Sequence, residues 1–100
     1  RAAAALPAEL KLLCSELDLY MERSTPGNQT YTKDLSNVIH RTGKCQMLAE
    51  VSDNAEVEFA VLQLLASLNT AIECLNYEGA LCDLRNVHTN LERIVQDIRQ

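Results

Sequence analysis

Glycine, proline and aromatic side chains are scarce in this chain: of 100 residues three are glycine and two proline, with one phenylalanine and no tryptophan. Three glycines leave no glycine-rich loop to cradle a phosphate, and neither H-E-x-x-H nor G-x-S-x-G occurs. No run alternates apolar and polar residues long enough to form a strand. Basic residues are also in short supply. The net charge of −5 argues against nucleic acid as a partner, because phosphate binding needs a basic stripe. No stretch reaches the ~18 to 20 uninterrupted apolar residues of a transmembrane segment.

What the chain does have is leucine, alanine and valine at helical spacing. Hydrophobic residues make up 47% of the sequence, enough for one core in one domain covering residues 1–100. The expected fold class is all-α, an antiparallel up-down-up-down four-helix bundle with helices over about 8–23, 32–51, 54–77 and 80–99. The chain begins at Arg1 without an initiator Met, which reads as a processed product or a domain cut from a longer protein.

The first helix is expected from Ala8 to Arg23, with Pro7 in its first turn and Leu6, Leu10, Leu13, Leu17 and Tyr20 recurring every three or four residues. Leu12 and Leu19 widen that stripe. Pro26-Gly27 marks a surface turn. Thr30 or Thr32 then caps a second helix, with Asp34 in its first turn and a stripe through Leu35, Val38, Ile39, Thr42, Cys45, Leu48 and Ala49. Gly43 interrupts it, and the sequence favours close backbone packing there over a tolerated weak point.

The third segment is apolar around most of its circumference: Val57, Phe59, Val61, Leu62, Leu64, Leu65, Leu68, Ala71, Ile72 and Leu75. Such a helix is expected at the centre, covered by three neighbours. Asp53 and Glu56 suit a capping box at its start, and Gly79 a stop. Leu81, Leu84, Val87 or His88, Leu91, Ile94 or Val95, and Ile98 then draw a heptad-like seam for the fourth helix. Were the third and fourth helices continuous through Gly79, the exposed far half would demand a homodimer.

Cys14, Cys45, Cys74 and Cys82 are either buried thiols of a cytosolic bundle or two disulfides of a secreted one; Cys74 and Cys82 flank a turn across which they could meet. Their spacing fits no zinc pattern. Asn28-Gln29-Thr30 is a formal glycosylation acceptor in a loop. His40 and His88 lie beside apolar residues with no serine suitably spaced, which reads as structural. No catalytic residue, cofactor or metal is expected, so recognition remains. The expected role is a non-catalytic protein-protein interaction module binding a partner helix, short leucine-rich motif or ubiquitin in an interhelical groove. Leu62, Leu65 and Ile72, as surplus apolar positions of the third helix, are the partner-binding candidates. The alternative is a secreted four-helix ligand or inhibitor.

The run from Asp34 to Tyr77 resembles the second and third helices of GAT domains, the helical bundles of clathrin-associated sorting adaptors. The resemblance rests on Leu35, Cys45, Ala49-Glu50-Val51-Ser52-Asp53, Val61-Leu62-Gln63 and Leu68-Asn69-Thr70-Ala71-Ile72. The helix from Leu10 to Tyr20 matches that family's first. The resemblance implies a cytoplasmic protein-transport module, peripheral to endosomal or Golgi membranes, that binds ubiquitin or a partner helix. It leaves Leu81 to Ile98 unaccounted for, and no N-terminal hook for a small GTPase is visible.

Overall fold

The computed structural model describes residues 2–23, 33–73 and 80–99, with side chains over 5–23, 35–73 and 83–97. These residues form α1 (Ala2–Arg23), α2 (Lys33–Glu50), α3 (Ala55–Glu73) and α4 (Ala80–Arg99), and contain no strand. The expectations placed on Pro26-Gly27, Asn28, Thr30, Thr32, Cys74 and Gly79, and on the side chains of Asp34, Leu81, Cys82 and Ile98, lie outside the described residues.

α1 begins at Ala2 and carries Pro7 inside it, a correction to the start expected at Ala8. The alanine run is a strong helix former, and Pro7 removes only one early hydrogen-bond donor. Leu6, 2% exposed, supplies the packing that holds this extension. Leu10, Leu13, Cys14, Leu17 and Tyr20 continue the buried stripe. Leu12 and Leu19 do not widen it; both face solvent.

α2 buries Leu35, Val38, Thr42, Cys45 and Ala49, while Ile39, expected in the stripe, is exposed. Thr42 is tolerated in the core because its Oγ1 donates to the Val38 carbonyl at 2.7 Å. A Cβ built on Gly43 meets nothing within 4 Å. The close approach inferred from sequence is therefore absent, and this glycine is a weak point in an exposed helix interior. Gly43→Ala should stabilise the fold by roughly 0.5–1 kcal/mol in urea denaturation.

Between α2 and α3, Ser52 N donates to the Ala49 carbonyl at 3.1 Å and Asn54 N to Ser52 Oγ at 3.2 Å. The cap of α3 is Asn54 rather than Asp53. Its Oδ1 accepts from Glu56 N at 3.0 Å and Val57 N at 3.2 Å, and its carbonyl takes the first helical bond, from Glu58 N at 2.9 Å. Asn54→Ala should cost about 1 kcal/mol, read as a lower urea midpoint, while Asp53→Ala should change it by less than about 0.5 kcal/mol.

The helices close a ring: α1 packs on α2 and α4, and α3 packs on α2 and α4. Neither diagonal pair, α1 with α3 or α2 with α4, is in contact among the described residues. The bundle extends 42 × 21 × 20 Å. Because α4 lies alongside α3, the two are separate helices and not one kinked rod.

This arrangement overturns the central place expected for α3, which has two helical neighbours instead of three. Val61, Leu65, Leu68 and Ala71 are its buried residues; Val57, Leu62, Leu64 and Ile72 are half-buried against the core, and Phe59 stands in solvent. By length and mean hydropathy (1.3) α3 is the one described helix that could cross a membrane, with only 22% of that window buried. α1 contributes more fully buried side chains. α4 completes the core with Leu84, Val87, His88, Leu91 and Val95.

Candidate functional site

Three of the four seams between helices carry clefts or charged pairs, and the α2–α3 end adds an exposed face. Across the α1–α2 seam, Arg41 Nη1 donates to Glu9 Oε1 at 3.0 Å, and its Nη2 lies 3.9 Å from Glu16 Oε1. All three side chains are about one-fifth exposed. The guanidinium thus ties the two helices together. Beneath it, burial first and then Glu9 push the Cys45 thiol up from 9.0 to about 12, with Arg41 opposing the shift and Cys14 adding to it.

On the α1–α4 seam, Cys14, Asp18 and Glu92 help line a cleft of about 230 Å3. His88 sits between two carboxylates: Asp18 Oδ1 is 3.2 Å from Nε2 and Glu92 Oε1 is 3.4 Å from Nδ1. The Asp18 contact is close enough for charge attraction when the ring is protonated, but its geometry makes no hydrogen bond at Nε2. Burial, followed by Glu92 and Asp18, pushes the Cys14 thiol up to about 12. A thiol so held keeps its proton at neutral pH and is a poor nucleophile. Cys14 and Cys45 are free thiols. Among the described residues no group of three or more His, Cys, Asp or Glu could hold a metal ion.

The α3–α4 seam is open, and polar and apolar side chains share it. Ser67, Thr70, Asp83, Asn86 and Asn90 help line a hollow of about 410 Å3, continued past Leu64, Ser67 and Asn90 by one of about 300 Å3 reaching Gln63 and Arg93. Ser67 and Thr70 turn their hydroxyl protons back onto the carbonyls of Gln63 and Ala66, each at 3.1 Å. The hydroxyls bond within their own helix and hold nothing across the seam.

The candidates named from sequence are divided by the fold. Leu65 is 2% exposed and belongs to the core, so a partner cannot reach it without opening the bundle. Leu62 and Ile72 are half-buried, packed against the core from its edge. The most exposed large apolar side chains among the described residues are others: Met47 at 68%, Phe59 at 64% and Val51 at 63%. Met47 lies in the last turn of α2 and Val51 just past its end, and residues 51–54 bring the start of α3, with Phe59, to the same end of the bundle. Sequence carried a signal for the first two, because Met47 and Val51 fall off the stripe Leu35, Val38, Thr42, Cys45 and Ala49. Phe59 was hidden by the hydrophobicity all round it.

Comparison with protein families, with curated proteins and with solved structures finds no match to this chain.

Proposed function

We propose that the chain is a non-catalytic protein-binding module that receives a partner on the face formed by the end of α2 and the start of α3. The observation that carries this reading is the exposure of Met47, Val51 and Phe59 in a chain that has aliphatic side chains enough for its core. Apolar side chains gathered at one end of a fold and left in water mark an interaction surface. Leu62, half-buried on α3, supplies an inner edge, and Ile72 a second contact further along the same helix.

The reading includes an antiparallel up-down-up-down course for the helices. Ala71 and Asp83 line the same hollow, as do Ala60 and Ile94, the register of two helices running in opposite directions. Residues 51–54 are too short a connection for α2 and α3 to run any other way while packed together. A rigid antiparallel scaffold holds the outward side chains at fixed spacing for a helix or short motif.

The resemblance to GAT domains extends this proposal to a cytoplasmic adaptor in protein transport, with ubiquitin or a partner helix as ligand. Cys14 and Cys45 as free buried thiols favour a reducing compartment over the secreted, disulfide-held alternative. α4, packed on α1 and α3, is a helix beyond those the resemblance covers.

The test is affinity capture of partners from cell lysate by the wild-type chain and by Met47→Asp/Phe59→Asp, with circular dichroism of both. The double variant should fold normally and lose the captured protein. Equal capture by both chains would place the binding surface elsewhere. Leu65 is the wrong position for this test, because a charge there would unfold the bundle.

A further inference from the structure

The chemistry around the docking face selects the kind of partner. Between Lys44 and Arg85 the sequence contains no lysine or arginine, so the last part of α2 and all of α3 carry charge of one sign. Glu50, Asp53 and Glu56 are exposed and Glu58 half-buried; none of the four makes an ion pair with a described residue. They interleave in sequence with Met47, Val51 and Phe59, each more than 60% exposed.

Helix electrostatics accounts for part of this charge. Glu56 and Glu58 lie in the first turn of α3, where the positive end of the helix suits a carboxylate. Glu50 ends α2, whose last turn has no basic residue, and there a carboxylate faces the negative pole of its own helix. A cation from outside the chain relieves that repulsion. Resting on the docking reading above, we propose that this face binds a basic amphipathic helix of a partner protein. Its apolar side chains sit on Met47, Val51 and Phe59, and its lysines or arginines on Glu50, Asp53 and Glu56. A second copy of this chain would set the same carboxylates against each other, and an anionic lipid surface would be repelled.

The probes are two synthetic amphipathic helical peptides with identical leucines, one with lysine and one with glutamate at every polar position. Each is titrated into the isotope-labelled chain while amide shifts are followed. The lysine peptide should bind at least ~10-fold tighter, weaken as salt is raised, and shift resonances chiefly over residues 47–59. Glu50→Gln/Glu56→Gln should remove most of that preference; Glu22→Gln/Glu73→Gln, which removes the same charge from α1 and the far end of α3, should not. Equal binding of both peptides at this face would overturn the basic-partner inference and leave the docking reading standing. Equal weakening by the two double variants would overturn it as well, by showing only diffuse attraction. Shifts confined to other seams, or no binding by either peptide, would overturn the inference and the docking reading together.

Discussion

Leu10→Ala should lower the unfolding free energy by about 2–5 kcal/mol, a large share of the ~5–15 kcal/mol that holds a domain of this size. Leu10 is 0% exposed and lies midway along the buried stripe of α1, between Leu6 and Leu13. Truncation removes its apolar area from the core and leaves a cavity that two packed helix neighbours cannot collapse into. Leu12→Ala, on the same helix at 44% exposure, should change stability by less than about 0.5 kcal/mol. Urea titrations of the two variants therefore read the orientation of α1 directly. Equal losses would mean that α1 is rotated from the face described.

The second large effect is alkaline. Cys14 and Cys45 are each pushed up from 9.0 to about 12, mainly by burial. A thiol is neutral when protonated, so its folded-state pKa above the unfolded value means that the folded chain holds the proton more tightly. The contribution to stability is complete below pH 9. Between pH 9 and about 12 the unfolded chain ionises and the folded chain does not, and stability falls by up to ~1.4 kcal/mol per pH unit for each thiol. Above about pH 12 the folded chain ionises too and the slope flattens. Unfolding midpoints from pH 7 to 11 should fall more steeply for the wild-type chain than for Cys14→Ala/Cys45→Ala. Comparing slopes cancels the titration of Cys74, Cys82, the lysines and the tyrosines. Parallel curves would place both thiols in contact with water.

Periodicity made α1, α2 and α4 legible, because each has one apolar stripe against a polar remainder and only one way to bury it. Leu84, Leu91 and Val95 of α4 lie where the heptad-like seam put them. In α3 the same method had nothing to orient it. With apolar residues around most of the circumference, composition reports how greasy the helix is but not which sides are covered. Leu65, a surplus apolar position by sequence, lies in the core, and Phe59, expected under a neighbouring helix, stands in solvent. Local choices between equivalent residues were similarly open: Asp53 and Asn54 both suit a cap, and only the 3.0 and 3.2 Å bonds to Glu56 N and Val57 N decide for Asn54. Pro7 looked like a helix start because its missing donor is cheapest there, yet Leu6 packs well enough to carry the helix past it.

The face at the end of α2 and the start of α3 unites the fold with the function proposed for it. α3 has two neighbours, and at its start and at the end of α2 exposed apolar side chains alternate in sequence with carboxylates that form no ion pair among the described residues. Hydroxyl-radical footprinting of the dilute chain, read residue by residue by mass spectrometry, tests this most directly. Met47 and Phe59 should be oxidised nearly as fast as in denaturant, while Tyr20, at 1% exposure, should be strongly protected. Protection of Met47 and Phe59 comparable to that of Tyr20 would mean that the face is already covered, and would contradict the docking surface.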